Sequence, residues 1–261
     1  MEKVALITGA SKGIGKELAN VFARKGYSLI LIARNIKELE MLQSNLSDKY
    51  HVNVKILSVD LANPNSVEMI ASTFREELPK LDVLVNNAGV GLIKRFTDLP
   101  AHELNDMLEV NVTALTRLTY RVLPHMVAKK NGRILNVAST AAYMPGPYMA
   151  VYYASKAYVL SFSESIYEEY KKFGITVSAL CPGMTQTPFL ERAGMQDTPM
   201  WNGMPKMSAV KVAETAFKGL MRKKRVIVPG AMNKLMVFLS WISPRFMTAK
   251  VTAGLQKPKS S

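Results

Sequence analysis

Val4-Ala5-Leu6-Ile7-Thr8 is a short apolar run that passes directly into Gly9-Ala10-Ser11-Lys12-Gly13-Ile14-Gly15 and then into a helical pattern. An apolar run of that length, stopped by glycine, predicts a buried strand. Glycine lets the backbone turn sharply and lets a pyrophosphate come close, while the N-terminus of the next helix favours negative charge. The spacing is Gly-x-x-x-Gly-x-Gly, not the G-x-G-x-x-G of other dinucleotide-binding folds. With a strand before it, a helix after it and Thr8 ahead of the first glycine, a phosphate-binding turn is a better reading than three turn caps.

The rest of the chain repeats the alternation of apolar run and helical pattern. Strands are predicted at Val4–Thr8, Ser28–Ala33, Asn53–Val59, Val83–Asn86, Arg133–Ala138, Thr176–Cys181 and Val226–Pro229. They are rich in Val, Ile and Leu, as strands covered on both faces are. The expected fold is therefore α/β: one doubly wound, parallel, seven-stranded sheet of Rossmann type, with right-handed crossovers and helices on both faces. Asn35 ahead of Ile36-Lys37-Glu38 predicts a capped helix start. Asn63-Pro64 predicts another, with proline at the first helical position. Leu104 to Lys130 reads as one long helix, bent near Pro124 and ended by Asn131-Gly132. No internal repeat or low-complexity linker divides the 261 residues, which suit a single domain.

Composition narrows the function. A hydrophobic content of 48% is that of an ordinary globular chain. The one cysteine, Cys181, allows no intramolecular disulfide and points to a reducing, cytoplasmic setting. The apolar run after Met1-Glu2-Lys3 is too short for a signal peptide, and none is long enough to span a membrane. His51, His102 and His125 lack metal-site spacing, so no metal is expected. The chain has no Gly-x-Ser-x-Gly elbow of a hydrolase. Net charge is +14, spread along helices through residues such as Lys37, Lys49, Lys129, Lys130, Lys171 and Lys172. The cations are not interleaved with stacking aromatics, which argues against nucleic acid.

Two further motifs carry chemistry. Asn86-Asn87-Ala88-Gly89 closes the fourth strand, and Tyr152-Tyr153-Ala154-Ser155-Lys156 lies in a helix, downstream of Ser139. A Tyr and a Lys four residues apart share one helix face. Together with the glycine turn, these motifs resemble the short-chain dehydrogenase/reductase family over nearly the whole chain, weakening only after about residue 222.

The resemblance implies a nicotinamide cofactor. The Gly9, Gly13 and Gly15 spacing is the family's, and Ser11, Lys12 and Ile14 fall within its cofactor turn. NAD-dependent relatives end the second strand with an acid that binds the adenosine ribose. Here Ala33 and then Arg34 stand there, and Lys12 lies in the turn. A guanidinium can bind a 2′-phosphate that a carboxylate would repel, so the pair resembles the NADP(H)-preferring members. Asp60-Leu61 resembles the family's adenine-contacting pair. Asn87, Ala88 and Gly89 border the cofactor, and Pro182-Gly183-Met184-Thr185-Gln186-Thr187 looks like the loop at its nicotinamide end. Pro182, Gly183, Thr185 and Thr187 are the expected contacts.

Reducing a carbonyl needs a hydride to carbon and a proton to oxygen, so the protein must supply a proton donor, a positive field and alignment. By resemblance Tyr152 is the general acid/base, and Lys156 lowers its pKa from about 10 and also binds the nicotinamide ribose. Ser139 hydrogen-bonds the substrate carbonyl, and Asn111 holds a water leading from Lys156. Tyr153 rivals Tyr152, and Thr140 is a weaker rival to Ser139.

Residues 184–207 are expected to form a loop and short helix over the substrate, carrying Met184, Phe189, Leu190, Met195, Met200, Trp201, Met204 and Met207. Methionine adapts to irregular apolar shapes, so this lid suits a bulky lipophilic carbonyl compound such as a steroid or 3-oxoacyl compound. The same side chains could instead pack on each other or on a partner. The loop 143–148 is expected to line the other wall.

Residues 1–230 would form the catalytic domain, and 231–261 a basic, partly apolar extension of it. No acid follows Glu214, whereas Arg222-Lys223-Lys224-Arg225, Lys234, Arg245, Lys250, Lys257 and Lys259 accumulate. Such a segment can lie on an anionic membrane surface. Packing over the cleft or against a second subunit is the preferred reading. The family pairs subunits through two long helices, here around 104–130 and 153–172, so a homodimer is expected. The alternative to an NADP(H)-dependent reductase is a non-catalytic NADP-binding regulator or scaffold.

Overall fold

Every predicted apolar run enters one sheet. The computed structural model describes residues 3–257; residues 1, 2 and 258–261, Lys259 among them, lie outside that range. The strands are β1 (Lys3–Thr8), β2 (Tyr27–Ala33), β3 (Val54–Ser58), β4 (Leu81–Asn86), β5 (Gly132–Val137), β6 (Ile175–Leu180), β7 (Thr185–Gln186), β8 (Met207–Ser208) and β9 (Val226–Ile227). Seven pair in parallel in the order β3-β2-β1-β4-β5-β6-β9. β7 and β8 form a separate parallel pair that the sequence did not announce, two residues being too few for a periodic signal. β9 stops at Ile227, short of the expected Pro229, where Pro229-Gly230 turns the chain with Gly230 at φ 88°.

Side chains alternate across each strand and so feed two cores. Ala5, Ile7, Leu29 and Leu31 pack under α1 (Gly13–Arg24), α2 (Ile36–Tyr50) and α9 (Ala209–Met221), against Phe22, Leu39 and Leu220. Leu6, Ile30 and Ile32 face the opposite way, towards Ile70 of α3 (Ser66–Thr73) and Leu118, Val122 and Met126 of α5 (Leu115–Lys129). The remaining helices are α4 (Ala101–Leu108), α6 (Ala150–Tyr170), α7 (Pro188–Arg192), α8 (Pro199–Gly203), α10 (Ala231–Ile242) and α11 (Arg245–Gln256). Strand order reverses at β1, flanked by β2 and β4. Crossovers leave in opposite directions there, and a crevice opens at the carboxyl ends of the strands.

Local chemistry explains some helix ends and not others. Asn35 Oδ1 accepts from the Glu38 N–H at 3.2 Å, as the sequence predicts. Asn63-Pro64 does not start a helix. Asn63 Oδ1 accepts from the Asn65 N–H at 2.9 Å, making a turn, and α3 begins at Ser66. The long helix does not deviate at Pro124, which α5 accommodates; it widens to π turns over 109–114, between α4 and α5. It ends at Lys130, itself left-handed with φ 51°, one residue before Asn131-Gly132. Gly132 is instead needed because a Cβ there would lie 2.4 Å from Met126 Sδ.

Candidate active site

A cleft of about 910 Å³ runs along the carboxyl edge of the sheet, from the glycine turn to the lid. Gly9 and Gly13 have φ of 64° and 55°. A Cβ on Gly13 would lie 2.9 Å from Thr187 Cγ2, so the turn and the lid loop approach closely over the cleft. α1 starts at Gly13 with neither a side-chain cap nor an acid in its first turn, which leaves its terminal N–H groups to an anion. Gly15 does not line the cleft as expected. Its added Cβ would be 2.2 Å from Gly9 O, so its smallness lets α1 pack against the turn.

Thr8 and Asn87 set the turn's shape. Thr8 Oγ1 accepts from the N–H groups of Asn87 (3.0 Å) and Ala88 (3.1 Å), and Asn87 Nδ2 donates to the carbonyls of Thr8 (2.9 Å) and Gly9 (3.0 Å). Asn86 belongs to the core: its Nδ2 donates to Thr119 Oγ1 and Asn136 Oδ1 at 3.0 and 2.9 Å. Ala88 and Gly89 remain on the cleft wall.

At the end expected to take the adenosine, Ser11, Lys12, Ile14, Arg34, Asp60 and Leu61 line the cleft. Both cations already have acidic partners. Lys12 Nζ lies 2.6 Å from Glu38 Oε1, and Arg34 Nη1 lies 3.7 Å from Asp60 Oδ2. The hydrogen bond from Lys12 holds the Glu38 carboxyl below its usual range. Glu38 was legible only as a helix-start acid; its reach to Lys12 needs the packing of α2 beside the turn. Asp60 is also engaged locally, its Oδ1 accepting from the Ala62 N–H at 3.1 Å.

At the other end, Ser139, Tyr152 and Lys156 meet. Ser139 follows β5, and Tyr152 and Lys156 share one face of α6. Lys156 Nζ donates to Val137 O at 2.8 Å and stands 5.7 Å from the centre of the Tyr152 ring. Against expectation, the phenol does not lie below its ordinary pKa. Burial pushes it up to about 12, the Ser139 hydroxyl acting the other way. Burial also pushes Lys156 down to about 8. The physical reason is that the lysine reaches a backbone carbonyl, while both groups are desolvated.

Asn111 sits in the π segment behind the cleft wall, not on it. Its Oδ1 accepts from the Val90 N–H (2.9 Å), and its Nδ2 donates to Val90 O (2.8 Å) and Ser155 Oγ (3.0 Å). A Cβ on Gly89 would lie 3.2 Å from Lys156 Nζ and 3.4 Å from Asn111 Oδ1, so only a small residue fits between them. Tyr153, the rival tyrosine, also lines the cleft, but its hydroxyl accepts from Gln256 Nε2. Thr140 lines the cleft beside Ser139.

Pro182, Gly183, Thr185 and Thr187 follow β6 along the cleft. Six of the expected lid side chains line it: Met184, Phe189, Leu190, Met195, Met200 and Met204. Trp201 does not; Lys206 Nζ lies 3.1 Å from its ring centre. Met207 pairs in β8 and packs against the α1–α9 core. Of the 143–148 loop, Met144 reaches the cleft, while Tyr143 turns to Cys181, donating to Sγ at 3.8 Å. The extension supplies residues that sequence motifs missed, among them Met236, Leu239, Thr252 and Gln256. Met236 and Leu239 belong to an apolar stretch near the C-terminus, whereas Thr252 and Gln256 had no signal in the sequence.

The sequence matches the family described as short chain dehydrogenase over residues 3–198. Oxidoreductase UcpA of Salmonella typhimurium is 36% identical over 198 residues, covering 76% of this chain and 74% of its own. A short-chain dehydrogenase from Sphingobium yanoikuyae, solved in complex with NADPH, shares the fold with a TM-score of 0.82 and 32% identity, over 93% of this chain and 96% of that one. A bulky-bulky ketone specific alcohol dehydrogenase from Comamonas testosteroni gives a TM-score of 0.78 and 29% identity, over 91% of each chain. The chain belongs to the short-chain dehydrogenase family, and its parallel, doubly wound sheet is that family's Rossmann fold.

Proposed function

We propose that the chain reduces a bulky, lipophilic ketone or aldehyde with NADPH, and oxidises the corresponding secondary alcohol in reverse. It is an NADP-dependent oxidoreductase acting on CH–OH groups. The observation that carries the substrate reading is the meeting of Ser139, Tyr152 and Lys156 with six apolar lid side chains in one cleft. The bulky-bulky ketone specificity of the Comamonas testosteroni relative supports it, and a steroid or 3-oxoacyl compound is the type of substrate such a cleft suits.

The residues present fit NADP(H). The glycine turn admits a pyrophosphate, the uncapped start of α1 favours its charge, and Lys12 and Arg34 offer cations to a 2′-phosphate. Thr187 and Thr185 line the cleft where the nicotinamide end would lie. When bound, NADPH supplies the hydride to the carbonyl carbon. Tyr152 gives its proton to the carbonyl oxygen, Ser139 Oγ donates to the same oxygen as charge develops, and Lys156 holds the positive field. Asn111 fixes Val90 and Ser155 around Lys156.

The pH dependence follows from the two shifted groups. Reduction needs Tyr152 protonated and Lys156 charged. With Tyr152 up to about 12 and Lys156 down to about 8, the lysine loses its proton first as pH rises. The kcat/KM for reduction should be level below pH 8 and fall about tenfold per unit above it. Lys156→Arg, whose guanidinium stays charged, should remove that fall even as it lowers the plateau. A profile level to pH 10 in the wild type would overturn the role given to Lys156.

The functional test is NADPH against NADH oxidation over steroid, fatty-acyl, aromatic and small ketones. Arg34→Ala should raise the NADPH KM about tenfold and leave that for NADH nearly unchanged, the loss of one charge-assisted contact. NADPH binding without turnover of any ketone would replace this reading with a non-catalytic NADP-binding regulator. The protein would act in the cytoplasm as a homodimer joined through α5 and α6, which expose Tyr120 and Tyr158. Its extension would be its contact with a membrane surface.

A further inference from the structure

The outward face of the C-terminal helices is apolar. Met232, Leu235, Phe238 and Trp241 on α10 and Phe246 and Val251 on α11 are exposed, Trp241 by 80% and Phe246 by 74%. Positions 231, 235, 238 and 242 of α10 recur at helical spacing on that face, while 233, 236, 237 and 240 are the less exposed side. Among the described residues, nine of the eighteen exposed large apolar side chains fall between 232 and 251. Single exposed apolar residues are ordinary, whereas a contiguous patch marks an interaction surface.

The charge around this patch selects the partner. Lys234, Arg245 and Lys250 are exposed on the same two helices and Lys257 just beyond them, and no acid follows Glu214. A second copy docking the same face by a twofold would set these cations against their own equivalents, with no carboxylate on that face to pair them. Anionic lipid headgroups supply the missing charge, and an exposed Trp suits the boundary between headgroup and hydrocarbon. With 12 residues each, α10 and α11 are too short to span a bilayer and would lie on it. The same helices border the substrate cleft: Leu239, Met247 and Val251 are at once exposed and on its wall.

We infer that α10 and α11 seat the protein on an anionic bilayer and that the cleft opens into that bilayer, so that a lipid-dissolved ketone reaches Tyr152 without crossing water. The route rests on the reading of the cleft as a site for a lipophilic carbonyl compound. The full chain should float with vesicles of phosphatidylcholine mixed with phosphatidylglycerol, and not with phosphatidylcholine alone. The double substitution Trp241→Glu, Phe246→Glu should lower that binding at least about tenfold. It should also slow reduction of a vesicle-dissolved ketone while sparing a short, water-soluble one.

A second readout does not depend on that variant folding. In Trp201→Phe, Trp241 is the remaining tryptophan, and its emission should shift to the blue on anionic vesicles and be quenched by brominated lipid. No flotation and no shift, with ketone reduction intact, would remove this inference alone. An oligomer that the glutamates dissociate, without vesicle binding, would make the face a subunit contact and overturn it. Flotation with no ketone reduced would remove the functional reading and the substrate route with it.

Discussion

Tyr152→Phe lowers kcat for ketone reduction by about 10²–10⁴-fold, the contribution of a positioned proton donor. NADPH affinity stays close to that of the wild type, because the ring and its packing remain. The loss lies in kcat because the phenol hydrogen is needed when the alkoxide forms, not when the ketone binds. Burial keeps this phenol protonated across the neutral range, since its pKa is up to about 12. The wild type is therefore poised for reduction, and oxidation of the alcohol should speed up with pH only until Lys156 loses its proton near about 8. Tyr153→Phe is the matched control. It removes the hydroxyl that accepts from Gln256 Nε2, which should cost about 1–2 kcal/mol of stability and little in kcat. Stopped-flow NADPH oxidation on both variants decides the matter. Equal losses would mean that the proton comes from neither tyrosine alone.

Thr8→Val should destabilise the fold by about 2–4 kcal/mol, although valine has nearly the same shape. Thr8 is 2% exposed, and its single oxygen accepts from two backbone N–H groups, those of Asn87 and Ala88. Valine would leave both donors without that acceptor at the carboxyl end of β4, where little water can replace it. The urea midpoint should fall with an unchanged slope. NADPH affinity should fall with it, because Asn87 also holds the Gly9 carbonyl and so the turn's shape. Thr8→Ser, which keeps the oxygen, should recover most of both losses. A valine variant as stable as the wild type would show that these two bonds carry no net stabilisation.

The helix start and the helix bend that the sequence misplaced share a cause. Asn63-Pro64 carries the residues of a cap, yet Asn63 bonds the Asn65 N–H within its own turn, and capping residues serve turns equally well. Pro124 carries the signature of a bend, yet the deviation sits at the π segment around Asn111, where the side chain must reach Val90 and Ser155. Propensity names the residues able to break a helix, and long-range contacts choose among them.

Short spacings and local periodicity are properties of the chain itself. They determined the seven parallel strands, the glycine turn, and the sharing of one helix face by Tyr152 and Lys156, because each needs only a few neighbouring residues. Tertiary structure alone decided what surrounds them. It brought Glu38 onto Lys12, Gln256 across 103 residues onto Tyr153, and Lys156 onto the Val137 carbonyl. It also raised the tyrosine's pKa where the neighbouring lysine would lower it, since desolvation depends on everything that packs around a group. And it turned one side of α10 and α11 to the cleft and the other outward, which an apolar pattern without a partner leaves open.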